Sequence, residues 1–160
     1  MTASRSTCFT ELCKSRLSLP QLIDPEVLLN STDYYHIMTL NILVVDDSSF
    51  QRNMICETLE SWVDVVGTAK NGIEAVEQYE FHKPDLVTMD IMMPEMNGIK
   101  ALRVIKEISP NATVVMLTSV SQKEKMRKAA RHGADGYVTK PFDSEELINE
   151  IDDAHEVGVK

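Results

Sequence analysis

The sequence predicts an α/β domain with a doubly wound, five-stranded parallel sheet. Three observations carry this. From Asn41 onward, short apolar runs of strand length alternate five times with segments of helical period. The runs are continuously apolar rather than alternating with polar residues, as expected of strands covered on both faces. Helix-start and helix-stop residues separate them.

In chain order, ILVV (Ile42 to Val45) is the first strand and ends at Asp46-Asp47. Phe50 to Trp62 reads as a helix, with Phe50, Met54, Ile55, Leu59 and Trp62 as its apolar stripe. VDVVGTA (Val63 to Ala69) is strand-like and is broken by Asn71-Gly72. Ile73, Ala75, Val76 and Tyr79 mark a second helix, stopped by Lys83-Pro84. LVTM (Leu86 to Met89) is the third strand, and Ile99, Leu102, Val104, Ile105 and Ile108 mark a third helix that stops at Ser109-Pro110. TVVML (Thr113 to Leu117) is the fourth strand. Lys123 to Arg131 is a charged helix closed by His132-Gly133, with glycine at the usual stop position. Gly136 to Thr139 is the fifth strand. Asp143-Ser-Glu-Glu146 has the pattern of a capping box ahead of Leu147, Ile148 and Ile151 in a fifth helix.

The bulk numbers narrow the function. The chain has 160 residues, is 43% hydrophobic and 26% charged, and suits one domain with an appendage. No apolar run is long enough to predict a membrane span, and the first thirty residues lack the continuous apolar core of a secretory signal. Residues 1–37 carry three Lys/Arg and four Asp/Glu, so the net charge of −9 falls as −1 there and −8 on residues 38–160. So acidic a domain is suited to cations or basic surfaces and is a poor partner for nucleic acid. The three cysteines, Cys8, Cys13 and Cys56, form no CxxC pair, so reduced thiols in a cytoplasmic protein are expected rather than disulfides or a zinc site. Residues 1–37 do not join the strand–helix rhythm and are expected to be a poorly ordered extension; residues 38–160 form the folded domain.

Ligands of open parallel sheets bind beyond the carboxyl ends of the strands. Asp46 and Asp47 stand there after the first strand, Asp90 after the third, Thr118 and Ser119 after the fourth, and Lys140-Pro141 after the fifth. With a strand order of 2-1-3-4-5 these converge. Three crowded carboxylates repel one another unless a cation joins them, and an all-oxygen set calls for Mg²⁺, with Mn²⁺ as the alternative. Mg²⁺ with an amine and a hydroxyl makes a site for a phosphoryl group. One carboxylate can then act as nucleophile, and Asp90, between the acid pair and the hydroxyl, is the best placed. Pro94 and Gly98 impose a sharp turn after it, and Gly98 lets the next helix start close by. Taken singly, each residue has an ordinary use: a helix cap for Asp46-Asp47, a turn for Lys140-Pro141, core packing for Tyr137. Together, at matching strand ends, they point to chemistry.

ILVVDDSSFQR, TMDIMMPEMNG, VVMLTS and GYVTKPF, in this order and spacing, resemble the receiver domain of two-component response regulators over Leu40 to the C-terminus. The resemblance implies the sheet order 2-1-3-4-5. It implies that Asp90 accepts a phosphoryl group from a sensor histidine kinase. Asp46 and Asp47 would hold Mg²⁺, Asp47 more directly, with Asp90 and the Met92 backbone carbonyl. Lys140 would contact the phosphoryl across a cis bond to Pro141, Thr118 would move toward it, and Tyr137 would turn inward behind. Met92, Ser119 and Val120 would tune access to the acyl phosphate. The surface of the fourth helix, fifth strand and fifth helix would bind a protein target. TMDIMMPEMNG is most like single-domain chemotaxis regulators of the CheY type, which implies the flagellar motor switch as target and a phosphatase as a further partner; a phosphorelay intermediate or a regulator of a non-motility partner is the alternative. A monomer without a second domain is expected.

Three rivals are disfavoured. An Asp-nucleophile phosphatase commonly carries a second Asp two residues on, where Met92 stands. A flavin module needs an anion-binding loop after the first strand, where DDSSFQR is acidic. A magnesium nuclease conflicts with the charge.

Overall fold

The computed structural model describes residues 40–119 and 123–158; residues 1–37 and Val120 lie outside these. The elements in order are β1 (Asn41–Val45), α1 (Ser49–Leu59), β2 (Asp64–Ala69), α2 (Gly72–His82), β3 (Leu86–Asp90), α3 (Gly98–Ile108), β4 (Thr113–Ser119), α4 (Lys123–Arg131), β5 (Gly136–Lys140) and α5 (Ser144–Gly158). The five strands form one sheet in the order β2-β1-β3-β4-β5 with every neighbouring pair parallel. β3 is therefore the middle strand, flanked by β1 and β4.

Successive strand residues feed opposite covers, the two-residue period of a strand. Leu43, Val45, Val87, Met89, Val114 and Met116 join Ala75, Tyr79, Leu102 and Ile105 in one core, beneath α2, α3 and α4. Ile42, Val44, Leu86, Val115, Leu117 and Val138 join Ile55, Leu59, Leu147 and Ile151 in the other, beneath α1 and α5. This double burial explains why the strands read as unbroken apolar runs.

The helices start on polar caps and stop at conformational breaks. Ser48, Asn71 and Asn97 cap α1, α2 and α3 by accepting from backbone N–H groups of the first turn, and Asp143 Oδ1 accepts from Glu146 N at the start of α5. Lys83 closes α2 in the left-handed region at φ 46°, with Pro84 behind it unable to continue the helix. Gly133 follows α4 at φ 85°.

Helix α1 differs from expectation. It ends at Leu59, before Trp62, and its inward stripe is Ile55, Cys56 and Leu59. Phe50 and Met54 are 75% and 39% exposed. Apolar residues occupy more than half the helix circumference here, so periodicity alone does not select the buried arc. Ile73 and Ile108 likewise stay outside the core. Strands β3, β4 and β5 extend beyond their apolar runs, taking in Asp90, Thr118-Ser119 and Lys140.

Candidate functional site

The carboxyl ends of β1, β3 and β4 carry buried Asp46, Asp90 and Thr118, and the end of β5 brings Lys140 beside the two carboxylates. β3 carries Asp90 as its last paired residue, in register with Leu117 of β4, and Ser119 of β4 is in register with Lys140 of β5. Asp46 follows β1 directly, held by a bond from its N–H to Ala69 O at 3.1 Å.

Lys140 is the hub. Its Nζ donates to Asp46 Oδ2 at 2.5 Å and to Asp90 Oδ1 at 3.1 Å. The opposite oxygens are also held: Ser48 N donates to Asp46 Oδ1 at 2.9 Å, and Met92 N donates to Asp90 Oδ2 at 3.2 Å. Asp46 is 1% exposed and Asp90 is buried, whereas Asp47 is exposed. One ligand oxygen from each of the three carboxylates falls within a sphere of mutual distances no greater than 4.8 Å.

Burial pushes the Asp90 carboxyl above the usual aspartate range; the Lys140 ammonium acts against this by charge and hydrogen bond, and the Asp46 and Asp47 carboxylates add to the rise. Three ionised carboxylates around one ammonium leave two negative charges in a partly buried site, which is costly without a further cation. The donors are hard carboxylate oxygens, with no thiolate or imidazole in the cluster. The set therefore fits a small divalent cation of the Mg²⁺ type.

The loop after Asp90 is tightly built. Gly98 N donates to Ile91 O at 3.1 Å, which closes the loop. A Cβ on Gly98 would lie 2.0 Å from Asp90 O, so only glycine permits this approach. Pro94 is exposed at the loop's outer edge, and Glu95 takes φ 61°. The Lys140–Pro141 peptide bond is cis.

Thr118 is fully buried, and its Oγ1 donates to Ser119 O at 3.3 Å. Tyr137 packs against the core beneath α4, and its Oη is buried without a hydrogen-bond partner among the described residues. Its phenol is pushed above the ordinary tyrosine range by burial and by Asp135. Met92 has half its surface exposed beside Asp90.

Two supports were not legible in the sequence. Arg52 Nη1 donates to the backbone carbonyls of Asp46 at 2.6 Å and Asp47 at 3.1 Å, clamping the acidic turn from the first turn of α1. Buried Asn71 donates from Nδ2 to Glu95 Oε1 at 3.0 Å, and Gly72 N donates to Met96 O at 2.9 Å, so the β2–α2 turn braces the loop after Asp90. Asn71-Gly72 reads in sequence only as a break; the bond to a residue 24 positions on has no local signal. Ser48, rather than Asp46 or Asp47, caps α1, which frees both carboxylates from that structural duty.

Comparison with known proteins bears on this geometry. The profile of the response regulator receiver domain matches residues 42–152. The chemotaxis protein CheY of Halobacterium salinarum is 48% identical over 116 residues, spanning 72% of this chain and 97% of that protein. CheY of Bacillus subtilis is 44% identical over 115 residues, spanning 71% and 96%. Among solved structures, the response regulator domain of Thermotoga maritima CheB superposes with a TM-score of 0.68 at 38% identity, covering 74% of this chain and 97% of that one. A chain of the CheX-CheY-BeF3-Mg²⁺ complex from Borrelia burgdorferi gives 0.69 at 33% identity, covering 76% and 90%.

Proposed function

The chain belongs to the family of response regulator receiver domains, and on that premise we propose that it is a phosphorylation-driven signalling switch whose acceptor is Asp90. The observation that carries this reading is the Lys140 ammonium held between Asp46 and Asp90 at the ends of β1, β3 and β5. A cation already poised on the acceptor carboxylate is placed to meet the charge of an incoming phosphoryl group.

In the proposed reaction an Asp90 carboxylate oxygen attacks the phosphorus of a phosphohistidine on a sensor kinase. The P–O bond forms, the P–N bond breaks, and its electron pair returns to the imidazole ring. Asp46, Asp47, Asp90 and the Met92 carbonyl would hold Mg²⁺, which would supply neutralisation of charge on the phosphoryl oxygens. Asp47, the exposed member of the trio, is the ligand open to a hydrated ion arriving from solvent. Lys140 exchanges its bond to Asp90 Oδ1 for one to the phosphoryl group. Arg52 keeps the acidic turn in place throughout.

The output follows from the same geometry. A phosphoryl group brings a charge of about −1.5 to −2 and strong acceptors. Thr118 Oγ1, now bonded weakly to Ser119 O, turns to it, and Tyr137 fills the vacated space. This biases the α4–β5–α5 face between two arrangements. Met92, Ser119 and Val120 control water access to the acyl phosphate, with Met92 in place as an exposed apolar cover. Chemotaxis is the pathway we infer, from the names of the similar proteins, with a histidine kinase upstream, the flagellar motor switch as target and a CheX-like protein as a further partner. The setting inferred is cytoplasmic; no helix among the described residues is long and apolar enough to cross a membrane.

The test is phosphorylation by a small acyl-phosphate donor with Mg²⁺, followed by intact mass. One phosphoryl group is expected, labile to base and hydroxylamine, and absent in EDTA and in Asp90→Asn. A group that persists in Asp90→Asn would transfer the acceptor role elsewhere.

A further inference from the structure

Between α3 and α4, over the loop that follows Asp90, lies a groove of about 670 Å³. Among the described residues its lining takes none from β5 or α5, so it shares only α4 with the α4–β5–α5 face. The floor is apolar and rich in methionine: Met92, Met93 and Met96 contribute to it, with Ile99 and Val104 of α3. The rim is cationic. Lys100 and Arg103 stand on α3, and Lys125 and Lys128 on α4.

Among the described residues no aspartate or glutamate lines the groove, although the chain carries 25 acidic residues against 16 Lys/Arg. These cations are mostly not spent on internal partners. Arg103 pairs with Glu107 at 3.1 Å, but both side chains are exposed, so the pair is weak. The Lys125 ammonium lies against the uncharged sulfur of Met92. Lys100 and Lys128 are exposed and form no ion pair among the described residues. Clustered like charge on an otherwise acidic molecule raises its energy, and an anionic ligand relieves it. Methionine side chains re-pack readily around differing apolar anchors, which suits a groove that receives a helix.

We propose that the α3–α4 groove docks an acidic amphipathic helix of a partner protein. Its apolar residues seat on Met92, Met93 and Met96, and its carboxylates meet Lys100, Lys125 and Lys128. The charge complementarity selects this occupant over a basic or neutral peptide. The inference does not depend on phosphoryl chemistry at Asp90.

A displayed library of random helical peptides, selected on the full-length unphosphorylated protein, tests it. Enriched peptides are expected to carry glutamate or aspartate around apolar residues at helical spacing. Their affinity should fall at least tenfold in Lys100→Glu/Lys128→Glu, fall less in the Gln pair, and weaken with salt. Amide NMR shifts should centre on Met96, Lys100 and Lys128. Binding should survive Asp90→Asn, and the charge-reversed protein should still accept phosphoryl from a small donor, which reports an intact fold and keeps failure here distinct from failure at Asp90. Enrichment of neutral or basic peptides, no enrichment, or acidic peptides indifferent to the substitutions would overturn it. Co-sedimentation with phosphatidylglycerol vesicles, or self-association by sedimentation velocity, lost on charge reversal in the absence of peptide binding, would replace the helix with a membrane or a second copy.

Discussion

A Cβ on Gly98 would stand 2.0 Å from the carbonyl oxygen of Asp90. The first residue of α3 is thus pressed against the backbone of the acceptor, with no room for a side chain between them. Gly98→Ala must push backbone from backbone. The expected cost is about 1–3 kcal/mol or more in urea unfolding, together with slower phosphorylation, because the Asp90 carboxylate shifts relative to Lys140. A variant as stable and as quickly phosphorylated as the natural protein would show that the loop yields freely.

Lys140 contributes both to folding and to transfer. Lys140→Met leaves Asp46 and Asp90 without their shared cation, and in EDTA this should cost about 3 kcal/mol. Mg²⁺ should then bind more tightly than to the natural protein, since it no longer competes with the ammonium. Phosphorylation should nevertheless slow by about a hundredfold, because a positioned cation on the phosphoryl group is lost. Calorimetric Mg²⁺ titration and single-turnover mass kinetics separate the two effects.

The pH dependence has a definite sign. The Asp90 carboxyl is raised in the folded state chiefly by burial, so folding favours its protonated form. The stability it contributes is complete below the unfolded aspartate value of about 3.9 and is lost as pH rises through the folded value. In EDTA, the natural protein should therefore lose stability relative to Asp90→Asn as pH climbs out of the acid range. Parallel melting curves from acid to neutral pH check this, and a constant difference would refute it. Added Mg²⁺ should reverse the trend at neutral pH in the natural protein alone.

Arg52 acts on the metal through the backbone. Arg52→Ala removes the clamp on the carbonyls of Asp46 and Asp47 and should weaken Mg²⁺ binding about tenfold. Because Arg52 touches neither carboxylate, the pH dependence of binding should keep its form.

The Tyr137 hydroxyl is buried without a partner among the described residues. Tyr137→Phe deletes it and keeps the ring, so it should raise stability by about 1 kcal/mol. A loss instead would mean that the hydroxyl has a partner in solution.

The order of strands and helices was legible because each strand is buried on both faces and so reads as an apolar run that stops where the sheet stops. The acids, hydroxyls and lysine at those stops were legible for the same reason: a charged residue at the end of such a run is hard to explain by packing. Asp46, Asp47, Asp90 and Lys140 could thus be picked out by position, and the chain brings them together. Tertiary structure decided the rest. Which arc of α1 turns inward depends on how the chain leaves β1 through the Ser48 cap, and Phe50 and Met54 fall on the outer side. The bonds from Arg52 to the acidic turn and from Asn71 to Glu95 join groups whose meeting depends on backbone direction, which hydrophobic period does not encode. The cationic groove likewise arises only when α3 and α4 lie side by side on one face of the sheet, since a local stretch shows lysines but not what they surround.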